Sequence, residues 1–184
     1  GAHVLCGQSR YHRNDSALIF EKVLLDFGAW IRHAKDVLGY GKVVLCGWSG
    51  GGPLSIFYQS QAQNPTITQT PAGDAVDIVG AALVPGDAIL YQASSVSRAR
   101  ILVEAMDPSI LDENDPDNRD IELDLYDPRN PNQPTYSVSF LTQYRTAQYR
   151  RMRNITARVR DTLDMLQKRG SAEKERCFVT HRTM

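Results

Sequence analysis

The chain has 184 residues, of which 42% are hydrophobic and 23% charged, and its 21 basic and 21 acidic side chains leave no net charge. This composition is typical of a globular protein, and the lack of a basic excess argues against a nucleic-acid partner. No apolar run reaches the roughly 18–20 residues that a membrane-spanning helix needs, so the sequence predicts no membrane span.

The N-terminal part predicts a buried strand followed by an amphipathic helix. Residues 3–8 form a short, mostly apolar run. Asp15 or Ser16 is a suitable N-cap for a helix that extends to about Leu38, because apolar side chains recur there at steps of three and four residues. Gly39 is expected to end this helix.

The next segment predicts a strand that runs into a tight turn and a second helix. Residues 43–46 are four consecutive apolar residues, which is typical of a parallel strand covered by helices on both faces. Residues 47–52 are mostly glycine, and a helix is predicted over about 53–62. The order strand, helix, strand, turn, helix predicts an α/β protein with a parallel sheet.

The middle of the chain alternates between loop and regular structure. Residues 64–87 are rich in Pro, Thr, Gly and Asp and predict a loop, with a weaker strand candidate at 78–79. A third strand is predicted at 88–91, and residues 94–106 have a helical pattern. This part of the chain therefore continues the α/β alternation.

The C-terminal part predicts a polar excursion and a long helix. Residues 107–134 are acidic and rich in Pro and Asn, without a sustained period, and are expected to run over the surface. Residues 137–169 predict an amphipathic helix that ends at Gly170. Its seven arginines are expected to form a solvated face, and the alternative is binding of an acidic headgroup or a coenzyme A phosphate: Arg145, Arg150, Arg151, Arg153, Arg158, Arg160 and Arg169.

Three cysteines are present, Cys6, Cys46 and Cys177. Because Cys6 and Cys46 lie in apolar, strand-like runs, they are expected to be buried thiols. An odd number of cysteines without close spacing predicts neither a disulfide framework nor a zinc site. The thiols favour a reducing, cytoplasmic location.

The glycine-rich turn carries a candidate nucleophile. Residues 47–51 match G-x-S-x-G between a predicted strand and a predicted helix, which is the context that this motif requires. The bend would hold Ser49 in a strained conformation and project its hydroxyl above the carboxyl edge of the sheet. The backbone N–H of Gly50 would point at the same spot, where an oxyanion develops. Walker and dinucleotide fingerprints do not fit these glycines, so no cofactor is predicted.

Segment 43–52, with its apolar strand and its G-x-S-x-G turn, resembles the nucleophile strand and elbow of the α/β-hydrolase superfamily, in its esterase/lipase-like branch. The resemblance implies an incomplete α/β-hydrolase core at 1–106, with part of a mainly parallel sheet and flanking helices. It implies a mostly helical cap or lid insertion, truncated, at 107–184. Because both termini adjoin apolar runs, we expect this chain to be an internal piece of a larger fold.

The resemblance also implies which sheet positions are filled. Residues 3–8 would correspond to the fourth strand of the family's fold, residues 42–47 to the fifth and residues 88–92 to the sixth. The third strand, which lies between the fourth and the fifth, would precede Gly1. Without it, two buried strands would lack their shared neighbour.

The superfamily order of catalytic residues is serine, then an acid, then histidine. His181 is the one histidine after Ser49 and is a weak candidate for the base, since no glycine-rich turn precedes it. Asp107 is the least unfavourable candidate acid. The alternative is that the acid and the histidine both lie beyond Met184.

The resemblance implies a serine hydrolase that acts on a small-molecule carboxylic ester or thioester through an acyl-enzyme at Ser49. Trp48, beside the nucleophile, is a candidate for lining the substrate pocket and could instead pack beneath neighbouring loops. Without the base and the second oxyanion donor, the 184-residue chain alone is expected to have little or no turnover. The alternative function is a non-catalytic binding protein that keeps the elbow as architecture.

Overall fold

A computed structural model describes residues 1–13, 18–172 and 176–182. The chain divides into two compact units, Gly1–Arg98 and Ala99–Met184. The fold mixes helices with one parallel and one antiparallel two-stranded sheet, and a long helix lies near the C-terminus. It is therefore α/β in a loose sense, and the described residues contain no larger sheet.

The first unit begins with helix α1, Phe20–Arg32, which continues as a π-helical turn over His33–Val37. Val23, Leu24 and Ile31 lie on its buried face, as the periodicity predicts. Gly39 follows with φ +71°, a left-handed conformation that suits glycine and ends the helix as predicted. The predicted N-cap residues lie outside the described residues.

A two-stranded parallel sheet forms the centre of the first unit. Strand β1, Val44–Trp48, pairs with strand β2, Ala88–Gln92, in a register that joins Val44 to Ala88 and Trp48 to Gln92. Helix α2, Gly51–Gln63, packs against both strands and against α1. The shared core contains side chains from both helices, from β1 and from the loop before β2: Leu24, Ile31, Leu45, Tyr58, Val76 and Ile78.

The predicted strand at residues 3–8 is wrong. This segment is extended over the surface without strand pairing, and Val4 is 88% exposed. It contacts α1 instead: the Cβ that Gly7 lacks would overlap the indole of Trp30, whose Nε1 donates to the Gln8 carbonyl at 3.3 Å. A strand requires a hydrogen-bonded neighbour, and β1 pairs only with β2 in the described residues.

Within the described residues of the first unit, helices cover only one face of β1, so the predicted cover on both faces is wrong. Leu45 and Gly47 are buried on the side of α2, whereas Val44, Cys46 and Trp48 alternate with them on an exposed face. The predicted burial of Cys6 and Cys46 is therefore wrong, and all three cysteines are exposed and free. Cys46 is exposed because strand alternation directs it to the uncovered side of the sheet.

The loop before β2 contributes to the core without forming a strand. Residues 78–79, the weaker strand candidate, lie in a turn, although Ile78 is completely buried. The Tyr58 hydroxyl of α2 donates to the Val84 carbonyl at 2.6 Å and fixes this loop. Burial raises the pKa of Tyr58 to about 12, although the positive charge of nearby Arg32 acts in the opposite direction.

The second unit contains most of helix α3, Arg98–Glu104, and the long helix α4, Val138–Lys168. Helix α4 begins where the Ser137 hydroxyl accepts a hydrogen bond from the Phe140 N–H, and Gly170 follows it with φ +68°. These bounds confirm the long predicted helix. Its N-terminal half is anchored by a core of four side chains: Leu123, Phe140, Tyr144 and Ala147.

The polar segment 107–134 has more regular structure than its sequence predicts. It contains an antiparallel hairpin of β3, Ile110–Asp112, and β4, Asp115–Arg119. The remaining path is shaped by side-chain oxygens that each accept from the backbone N–H two residues later, which explains the abundance of Asp and Asn. These Asx-type turns occur at seven positions: Asp107, Asp112, Asp115, Asp120, Asp124, Asp127 and Asn130.

The arginines of α4 do not all belong to a solvated face. Arg151 is only 4% exposed, and its guanidinium binds the Glu113 carboxylate at 2.6 Å and the Asp107 carbonyl at 2.6 Å. The prediction of a solvated Arg151 is therefore wrong. Buried Gln148, one turn earlier, donates to the Glu104 and Met106 carbonyls at 2.8 and 2.7 Å and also attaches α4 to the preceding chain.

A buried carboxylate is the second anchor of this unit. Asp124 lies 3.0 Å from the guanidinium groups of both Arg119 and Arg182. Burial opposes its ionisation, but the Tyr126 N–H and the two guanidinium groups outweigh that effect, so the pKa of Asp124 lies below its ordinary value. Throughout the part of the chain that the structure describes, every helix is too short or too polar to cross a bilayer.

Candidate functional site

The site centres on the bend between β1 and α2. Strand β1 ends at Trp48, and α2 begins three residues later at Gly51. The Ser49 N–H donates to the Gln92 carbonyl of β2 at 3.0 Å, and the Ser49 carbonyl accepts from the Gly52 N–H at 3.2 Å. These two bonds hold Ser49 between the end of the parallel sheet and the first turn of α2.

The backbone of Ser49 is strained, as the motif predicts. Its φ is +52°, in the left-handed region that non-glycine residues seldom occupy. Such a conformation persists only where the surrounding structure enforces it, and here the sheet and the helix both bind the Ser49 backbone. The strained conformation of Ser49 is therefore imposed by the surrounding strand and helix.

The glycines around Ser49 have different roles. A Cβ on Gly47 would lie 2.6 Å from both the Gly51 carbonyl oxygen and the Gly52 Cα, so only glycine permits this approach of strand and helix. Gly52 faces Ser94, whose Cβ would lie 2.6 Å from an added Cβ. A Cβ on Gly51 would meet no atom within 4 Å. Close packing at the bend therefore depends on Gly47 and Gly52, whereas Gly51 has room for a side chain.

The polar groups at the bend are open to solvent. Ser49 is exposed, and its hydroxyl makes no hydrogen bond to any residue that the structure describes. The N–H of Gly50, half-buried just before α2, likewise has no acceptor within the described ranges. A carbonyl group placed at this bend could approach a hydroxyl and a free N–H together. Trp48 is 71% exposed beside them and does not pack beneath a loop of its unit.

The other sequence-predicted catalytic residues belong to the second unit. The carbonyl of His181 accepts from Arg151 at 2.7 Å, and its imidazole has no hydrogen-bond partner in residues 1–13, 18–172 and 176–182. The Asp107 carboxylate accepts from the Ser109 N–H and binds Arg182 at 3.1 Å. Both residues therefore take part in the internal contacts of that unit.

Arg98 is a residue at the bend to which the sequence assigns no role. Its Nη1 lies 3.0 Å from the point that a Cβ on Gly50 would occupy. The two residues are far apart in sequence and are brought together because β2, which precedes Arg98, pairs with β1 in parallel. No local motif could have revealed this proximity.

Other parts of the described chain offer less chemistry. Its His, Cys, Asp and Glu side chains form no group of three or more that could hold a metal ion. Two open depressions lie on the surface of α4, and the walls of each come from that helix alone, so neither can enclose a ligand. No family model, curated protein or solved structure matches this chain.

Proposed function

We propose that this protein is a serine hydrolase of carboxylic esters or thioesters, with Ser49 as its nucleophile. The observation that carries the proposal is the exposed hydroxyl of Ser49 on a strained bend, at φ +52°, between a parallel strand and a helix. A small residue in an ordinary turn would need neither this conformation nor the close approach at Gly47.

The proposed reaction has two steps. The Ser49 oxygen attacks the carbonyl carbon while a histidine base removes its proton, and the Gly50 N–H stabilises half of the resulting oxyanion. The protonated histidine gives its proton to the alcohol or thiol as the bond to the carbonyl carbon breaks. Water then attacks the acyl-enzyme and releases the acid. The base is His181 or a histidine from beyond Met184.

The proposed function also implies a specific fold for the first unit. We infer that β1 and β2 are neighbouring strands of an α/β-hydrolase sheet, with residues 107–184 in the cap. The direct parallel pairing of β1 with β2 supports this inference, because the resemblance identifies them as the fifth and sixth strands. The elbow after β1 supports it independently, since it stands where that fold places its nucleophile.

A fluorophosphonate probe tests the proposed nucleophile. The full-length protein should acquire one adduct per chain, and peptide mapping by mass spectrometry should locate it at Ser49. Ser49→Ala should abolish the adduct and the ester hydrolysis together. Ser60→Ala is the matched control, because it removes another exposed serine hydroxyl from α2 outside the bend. Hydrolysis that survives in Ser49→Ala would refute the proposal.

A second candidate function is binding without catalysis. It is favoured by one observation, namely that no imidazole among the described residues of the first unit is hydrogen-bonded to the Ser49 hydroxyl. This function predicts saturable binding of an ester to the full-length protein with neither turnover nor a fluorophosphonate adduct. The labelling experiment therefore separates the two functions.

A further inference from the structure

The guanidinium of Arg98 lies over the residue that follows the candidate nucleophile. Its Nη1 is 3.0 Å from the Cβ position of Gly50, the residue whose N–H is proposed to hold the oxyanion. Arg98 and Gly50 both belong to the first unit, so this proximity is internal to one compact body. An arginine at this point meets whatever molecule approaches the Ser49 hydroxyl.

No acidic side chain accounts for this arginine. Arg98 is exposed and makes neither a hydrogen bond nor an ion pair with any residue in the described part of the chain. Helix α2, whose N-terminus adjoins Gly50, contains no charged residue among its 13 positions. The guanidinium therefore stands beside the bend without a neutralising carboxylate among the described residues.

The positive charge of Arg98 lies near the N-terminus of α2, where a cation destabilises the helix. The N-terminus of a helix carries partial positive charge, and cations are stabilising at the opposite end. Arg98 thus adds positive charge where α2 already presents free N–H groups. An anion at the bend would turn this repulsion into attraction, and the planar fork of a guanidinium matches a carboxylate in two parallel hydrogen bonds.

We propose that Arg98 selects substrates whose acyl chain ends in a carboxylate, so that the preferred substrates are monoesters or monothioesters of dicarboxylic acids. The inference rests on the proposed function, since it names the substrate class of the Ser49 site. One guanidinium balances the single negative charge of a carboxylate. The substrate carbonyl reaches Ser49 and Gly50 while its distal carboxylate binds Arg98.

The turnover experiment compares two esters of equal length, methyl hydrogen adipate and methyl hexanoate, which differ by a terminal carboxylate. Full-length protein should have the higher kcat/KM for the charged ester. In Arg98→Met the ratio of the two kcat/KM values should fall about 10- to 100-fold, because a charge-assisted bidentate contact is lost. Arg98→Lys should retain part of the preference. Arg100→Met, which removes an exposed arginine already paired with Glu104, should leave the ratio intact.

A binding experiment separates this inference from the proposed function. Calorimetry with Ser49→Ala protein and methyl hydrogen adipate measures anion binding without any turnover, and Arg98→Met in that background should weaken binding by a similar factor. Equal binding with and without Arg98 would overturn the inference, as would an equal loss of kcat/KM for both esters. If binding depends on Arg98 but neither ester is hydrolysed, the carboxylate site stands and the hydrolase function fails.

Discussion

A methyl group on Gly47 is expected to disrupt the bend far more than a methyl group on Gly51. Its Cβ would lie 2.6 Å from Gly51 O and Gly52 Cα, whereas ordinary contact begins at 3.4 Å, so strand and helix must separate by 0.8 Å. The obstructing atoms are backbone and cannot rotate away. Overpacking of this kind typically costs about 1–3 kcal/mol.

The net effect also includes the unfolded chain. Alanine restricts the unfolded state more than glycine does, which offsets the loss by about 0.5–1 kcal/mol. Because backbone atoms on two elements must move, we place the cost at the upper end and expect Gly47→Ala to lower the free energy of unfolding by about 2 kcal/mol. That change reduces the folded-to-unfolded ratio about 30-fold.

Gly51→Ala is the matched control at the same bend. No atom lies within 4 Å of its added Cβ, and Gly51 does not have a positive φ. As the first residue of α2 it should gain up to about 1 kcal/mol from the better helix propensity of alanine. Urea unfolding followed by tryptophan fluorescence reports on the first unit, because the two tryptophans, Trp30 and Trp48, both lie in it. Equal midpoints for the Gly47 and Gly51 variants would refute the close-approach argument.

Three further predictions concern strain, a buried hydroxyl and acid stability. Ser49→Gly should be more stable in urea than Ser49→Ala by about 1 kcal/mol, because glycine adopts the positive φ without strain. Tyr58→Phe should lose about 1 kcal/mol in the same assay, since the half-buried Val84 carbonyl loses its donor. The pKa of Asp124 is lowered from 3.8, so its stabilising contribution is present above that pH and is lost as the pH falls through the folded-state value. Asp124→Asn should flatten this part of the acid dependence in thermal melts, and an unchanged dependence would contradict the role of the ion pairs.

Local sequence patterns predicted the elements that depend on neighbouring residues. The candidate site at Ser49 was located because its strand, its glycines and its helix are contiguous, and a bend of this kind is set by steric constraints within a few residues. Helix α4 was predicted closely for a similar reason, since its cap at Ser137, its periodicity and Gly170 all act locally. Hydrogen bonds within a helix need no distant partner.

Tertiary structure decided everything that depends on distant neighbours. Residues 3–8 have the composition of a strand but form none, because strand hydrogen bonds require a second chain segment alongside. Cys46 is exposed because no element of its unit covers that side of β1. Arg98 reaches Gly50 only through the parallel pairing of β1 with β2. The sequence thus determined the bend at Ser49, whereas chain folding decided which charge stands beside it, because an arginine side chain acquires neighbours only when remote segments pack.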